Sequence, residues 1–271
     1  MRLVTRADLD GLASAVLITA SEKIDDILLV HPQDITDKKV PISGADILAN
    51  LPYHPSCGKW FDHHLLTESN ERPPERFDGR YGLAPSAARV VFEYYIEKNP
   101  FLKKYETFVA ETDRLDAALL TLDDVLDPQG YILLGYTLDP RTGLGAYQDY
   151  FKKLVQWLHN MPVEEIMELP EVKERVDRMR AQDKAFREAT QQSSRLDGNV
   201  VITDFRQLSP VPVGNRFLVY TLFPQANISM RVHWGPTRDH VSVAVGHSIF
   251  NRTSRTTVGN LMSRYGGGGH K

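Results

Sequence analysis

The sequence predicts an α/β protein: an N-terminal domain with a mostly parallel sheet and helices on both faces, then a smaller α+β C-terminal domain across a cleft. Three observations carry this. Short continuous apolar runs alternate with helical patterns through the first hundred residues, as in strands covered on both sides. A charge-dense stretch over 171–195 interrupts the pattern. Beyond it, several runs alternate apolar with polar residues, which suits a sheet with one wetter face.

In chain order, Leu3-Val4-Thr5 reads as the first strand, followed by a small-residue-rich apolar helix over Gly11–Ala20. Ile27–Val30 is the second strand, stopped at His31-Pro32; Ala45–Leu48 is the third and Lys59–Phe61 the fourth. Large apolar residues recur at helical spacing over Pro85–Ile96, from Phe101 to about Asp113, and from Ala146 to about His159. Residues 171–195 have sparse apolar positions and read as a long, exposed linking helix. Strands over Asn199–Thr203, Arg216–Tyr220, Ile228–Val232 and Val241–Val245 build the second domain. The expected organisation is therefore 1–165, a helical linker over 166–195, and 196–271. Gly266–Gly269 is the one low-complexity stretch, and no internal repeat is visible.

Composition narrows the function. With 271 residues, 42% hydrophobic and 25% charged, the chain has an ordinary globular balance. A net charge of −3 gives no broad basic field for gripping a long nucleic-acid backbone, although a local basic pocket remains compatible. The single cysteine, Cys57, excludes an internal disulfide framework and a thiolate-rich metal site, and fits a reducing cytoplasm. The N-terminus shows no signal-peptide core, and no apolar run approaches membrane-spanning length.

Acids and histidines cluster at the strand ends. Asp8 and Asp10 follow the first strand in "RADLDG", Asp46 lies in or just after the third, and Asp62-His63-His64 close the fourth. In a parallel sheet the strand C-termini share one edge, where ligand sites form. Singly, each has a plain structural reading: Asp8 or Asp10 as a helix N-cap, Asp46 as a strand-edge residue, and a core histidine paired with an aspartate. Together, several carboxylates at one place repel each other unless a cation lies among them. Carboxylate and imidazole ligands suit manganese, magnesium, iron or zinc, and their number favours a two-metal site acting on a phosphoryl group.

These motifs resemble the DHH phosphoesterase superfamily: Asp-x-Asp in "ADLDG", an isolated aspartate at Asp46, Asp62-His63-His64, and a fourth aspartate at Asp113, with Asp116 competing for that place. The end, "NRTSRTTVGNLMSRYGGGGHK", resembles a DHHA1-type C-terminal domain. The overall look is that of bacterial exopolyphosphatase-related or oligoribonuclease-like proteins, a group that shares a stretch similar to "DPRTGLG" at Asp139–Gly145. The resemblance implies two divalent ions, manganese ahead of magnesium, held by Asp8, Asp10, Asp46, His63 and Asp113, with Asp46 bridging. It implies that His64 stands behind a ligand or faces the phosphate, and that Asp62 orients a histidine. Substrate phosphate would meet Arg252, Gly268, Gly269 and His270. Two departures stand out. Arg6 occupies a place where relatives carry His or Asp, so it either weakens one ion or serves the substrate. The sequence also stops at Lys271, where relatives continue with a further strand.

The expected function is hydrolysis of phosphoester or phosphoanhydride bonds in short oligonucleotides or small nucleotides. Arg252, Arg255, Arg264 and Arg6 would form a pocket-scale basic patch. An exopolyphosphatase or pyrophosphatase is the alternative within the class. A metal- or nucleotide-binding sensor without turnover is the alternative outside it. No membrane partner is expected, and a homodimer is left open.

Overall fold

The structure is a computed structural model that describes residues 1–66, 72–138, 147–235 and 237–267. It divides into two compact units, Met1–Leu119 with Gln129–Lys173, and Leu120–Pro128 with Glu174–Lys271.

The first unit opens with β1 (Arg2–Thr5), α1 (Leu9–Thr19), β2 (Asp26–Leu29), α2 (Pro32–Thr36), β3 (Asp46–Ala49), β4 (Lys59–Asp62) and β5 (Gly79–Tyr81). Then follow α3 (Ala87–Tyr95), a 3-10 turn at Pro100–Tyr105, and α4 (Glu106–Asp116). After α5 (Leu122–Leu126), which groups with the second unit, come α6 (Gly130–Tyr136), α7 (Tyr147–Asn160) and α8 (Val163–Met167). The sheet order is β2-β1-β3-β4-β5 and every pairing is parallel.

Register explains the two faces. Leu28, Val4, Leu48 and Trp60 stand side by side across four strands. They pack with Ile35 of α2, Leu51 and Tyr53 into one buried cluster. The next residue in β4, Phe61, points the other way, as strand alternation requires. Its ring meets Tyr94 and Tyr95, with centroids 5.1 and 5.7 Å away. Burying Phe61 completely contributes about 1.5–3 kcal/mol. Helix α1 is buried at every position from Leu9 to Ile18, packed against α3, α4, α6 and α7. That is why its sequence is apolar all round rather than striped.

Where β5 meets β4, Gly79 has φ +119°, and a Cβ there would lie 2.0 Å from the Trp60 carbonyl oxygen. Only glycine fits. The three-residue β5, with a central arginine, lacks an apolar run and escapes sequence reading.

Helix α9 (Pro170–Ser193) is the long charged helix expected from sequence, and the division between the units falls within it, at Lys173 and Glu174. The second unit continues with β6 (Ser194–Asp197), β7 (Val200–Asp204), α10 (Leu218–Leu222), β8 (Ile228–Trp234), β9 (Val241–His247) and α11 (Val258–Ser263). Its sheet order is β6-β7-β8-β9, with the central pair parallel and the outer pairs antiparallel. Phe186 of α9 packs with Phe205 and Leu218 as a small core. The expected strand over Arg216–Tyr220 is instead the turn and helix of α10. A four-residue apolar run, Phe217–Tyr220, has no period that separates strand from helix, and the Asn215 side chain accepts the Phe217 N–H at 3.0 Å, closing a turn there.

Candidate active site

The parallel sheet gathers four loops at the C-terminal ends of β1, β3, β4 and β5. The β1 loop carries Arg6 and Asp8 into α1. Asp8 caps that helix, its Oδ1 accepting the Gly11 N–H at 2.8 Å. In the first turn of α1, Asp10 is 2% exposed and is gripped by the start of α3: Ala87 N–H reaches Oδ2 at 2.9 Å and Ala88 N–H reaches Oδ1 at 2.7 Å. Two amides at a helix N-terminus are natural partners for a carboxylate.

His63 follows β4. Its Nδ1 donates to the Ala84 carbonyl at 3.0 Å, since a carbonyl can only accept. In the neutral ring this leaves the Nε2 lone pair directed at carboxylates, 3.3 Å from Asp116 Oδ2 and 3.6 Å from Asp10 Oδ2. His64 turns to Asp62, with Nδ1 2.7 Å from Oδ1, and the two histidine rings meet edge-on at 4.3 Å.

Electrostatics mark this place as one built for a cation. Burial, and then the nearby Asp116 and Asp8 charges, push the Asp10 carboxyl well above its ordinary value, against the Ala88 and Ala87 amides. Burial also raises Asp116, although His63 opposes the shift. For His64 burial disfavours the imidazolium, yet Asp62 outweighs it and the net shift is upward. Ligand atoms of Asp10, His63 and Asp116 all lie within 4.8 Å of one another, as do those of Asp62, His63 and His64. Oxygen and imidazole donors beside mutually repelling acids fit a divalent metal ion.

Not every expected ligand arrives. Asp46 begins β3 rather than ending it, three residues or about 10 Å of strand before Ala49 at the C-terminal edge. There it pairs with Arg2 Nε at 2.7 Å and accepts from Ser43, so it does not bridge ions at the histidines. The residue that does follow β3 is Asn50, whose Nδ2 donates to Asp8 Oδ1 at 3.0 Å. Asp113 is likewise engaged elsewhere, by Ser86 at 2.6 Å and by Arg89 through Nε at 2.9 Å and Nη2 at 2.6 Å. Asp116, its competitor in sequence, is the acid that meets His63. Arg6 faces Asp8, Nε to Oδ2 at 3.1 Å, and its charge is felt at Asp116 and His64. Asn50 and the Ala84 carbonyl are partners that sequence reasoning missed. Asn50 was signalled only by standing directly after the apolar Ile47-Leu48-Ala49.

In the second unit, Arg252 is exposed and donates Nε–H to the Ile249 carbonyl at 3.0 Å. Gly268, Gly269 and His270, like the stretch Asp139–Gly145, lie outside the described residues.

Among solved structures, the pGpG-specific phosphodiesterase PggH from Vibrio cholerae matches this chain with a TM-score of 0.81 and 41% sequence identity, covering 99% of this chain and 90% of that one. The chain belongs to the DHH phosphoesterase family. Like other DHH members it is a phosphoesterase, with an Asp-His-His motif at the parallel-sheet edge. Two further structures match at much lower similarity. An uncharacterised protein from Helicobacter pylori G27 has a TM-score of 0.31 at 15% identity, over 99% of this chain and 90% of that one. A putative family II inorganic pyrophosphatase from Methanococcus jannaschii has 0.27 at 13%, over 91% and 88%. Neither likeness is strong enough to bear on function. No family model and no curated protein sequence matches. Among the described residues, no helix is long and apolar enough to cross a membrane.

Proposed function

We propose that this chain hydrolyses the phosphodiester bond of short oligonucleotides, with the dinucleotide pGpG as the substrate to test first. One observation carries the reading: the Asp10–His63–Asp116 group stands beside the Asp62–His64 pair in a chain 41% identical to a pGpG-specific phosphodiesterase. The net charge of −3 also favours a short ligand over a long polyanion.

Two divalent ions, manganese ahead of magnesium, are proposed as cofactors, one among Asp10, His63 and Asp116 and the other toward Asp8. Bound there, they would supply positive charge to phosphate oxygens and make a water more acidic. The protein's own groups prepare the site. The α3 amides fix both oxygens of Asp10, and the Ala84 carbonyl fixes the His63 tautomer. Asp62 holds the His64 ring and favours its imidazolium, whose Nε2–H can donate to a phosphate oxygen, and Arg6 offers a further cation to the same group. Residues 196–271 are proposed as a DHHA1-like substrate-binding domain in which Arg252, Gly268, Gly269 and His270 meet phosphate. The lone Cys57 suits a reducing cytoplasm.

The test is manganese-dependent turnover by the full chain of pGpG, other dinucleotides, longer oligonucleotides, bisphosphorylated adenosine, cyclic dinucleotides, pyrophosphate and polyphosphate. Dinucleotides should be cleaved fastest, with activity abolished by EDTA, restored by manganese and absent in Asp10→Asn. Hydrolysis confined to polyphosphate or pyrophosphate would replace the substrate class. Metal binding with no turnover of any substrate would make the chain a sensor.

A further inference from the structure

Asn50 sits among acids without being one. It is 1% exposed, and it adopts φ +58°, a left-handed conformation that asparagine tolerates better than most residues. Its Nδ2 is spent on Asp8, and its Oδ1 is buried with no hydrogen-bond partner among the described residues. An amide oxygen held this way is costly unless something positive meets it.

Asp8, next to it, already has its partners. One of its oxygens takes the Gly11 amide and Asn50, and the other takes Arg6. Asp10 and Asp116 bring two carboxylates to one imidazole nitrogen. The formal charge is therefore −2 among Asp10, His63 and Asp116, against zero for Asp8, Asn50 and Arg6 together. Ligand charge is a main determinant of how tightly a divalent ion is held.

We infer that Asn50 and Arg6 make this site bind its two ions unequally. The ion at Asp10, His63 and Asp116 is tight. The ion on the Asp8 side is weak, with the Asn50 amide oxygen as a neutral ligand where a carboxylate would bind more strongly. This rests on the metal-dependent reading above and deepens it.

The experiment is a substrate-free manganese titration of the full chain, following the electron paramagnetic resonance signal of free ion. Wild type should take up one ion tightly and a second at least tenfold more weakly. Asn50→Asp should narrow that gap at least tenfold. Arg6→Gln should narrow it too, and stands in if Asn50→Asp does not melt cooperatively. Two equal sites in wild type, or a gap unchanged in the folded variants, would overturn the inference. Asp10→Asn should remove the tight site alone. If wild type binds no manganese at all, the metal-dependent reading falls, and this inference with it.

Discussion

Arg2 and Asp46 clasp each other at the first residues of neighbouring strands, Nε to Oδ1 at 2.7 Å and Nη2 to Oδ2 at 3.0 Å. The clasp lies at the sheet edge opposite the histidines. Burial works against the Asp46 carboxylate, but Arg2 and the Ser43 N–H and hydroxyl prevail, and its pKa falls below the ordinary value.

Asp46→Asn should therefore cost about 2 kcal/mol of stability, the scale of a hydrogen bond to a charged group. Its turnover should stay within about twofold of wild type, because distant sites act independently. The pH dependence follows from the lowered folded-state pKa. The contribution is complete above the unfolded value of about 3.9 and is lost as pH falls through the folded one. Urea unfolding of both proteins should give curves that converge in acid. A loss of turnover at neutral pH would return Asp46 to the chemistry.

Asp113 and Asp116 lie one turn apart on α4 and meet different partners, Ser86 and Arg89 for the first and His63 for the second. Asp116→Asn should weaken manganese binding at least tenfold and lower kcat/KM by about a hundredfold or more. Asp113→Asn leaves Arg89 without its carboxylate and should cost about 2 kcal/mol of stability while keeping the tight ion. Calorimetric titration beside urea unfolding separates the two, and reversed phenotypes would exchange the assignments.

His64→Gln should reduce kcat by about a hundredfold or more with manganese affinity preserved, as expected of a group that meets substrate rather than metal. Asp62→Asn should act in the same direction by loosening the ring. If His64→Gln also releases manganese, His64 is a ligand instead.

Gly79→Ala should destabilise the first unit by at least about 2 kcal/mol, since its φ of +119° and the Trp60 carbonyl leave no place for a methyl group. A urea midpoint equal to that of wild type would show that β5 can move aside.

Sequence was informative where chemistry and pattern coincide. The Asp-His-His group and "ADLDG" each end or follow a clear apolar run, and the sheet's parallel order places both at one edge. It failed where a boundary had to be fixed to the residue. The run from Ala45 to Ala49 has no internal marker of where the strand starts, and a shift of four positions exchanges the two sheet edges. Asp46 thus looked like the site residue when Asn50 holds that place. Asp113 and Asp116 share a helix at a spacing of three, so their separation of roles depends on Arg89 and His63, which only tertiary packing brings near. The partners of Asp10, the Ala87 and Ala88 amides, carry no side-chain signature at all.

Asp10 is joined to groups 77 and 78 residues further along, and His63 to one 21 residues away. These donors meet only in the folded chain, so cations that occupy the site select that state over the unfolded one. An ion present at a hundred times its dissociation constant would add about 2.7 kcal/mol to the folding equilibrium. Depleting divalent metal would then do more than stop turnover: it would leave a chain with two mutually repelling carboxylates, easier to unfold and easier to degrade. Metal supply would then bear on abundance as well as rate.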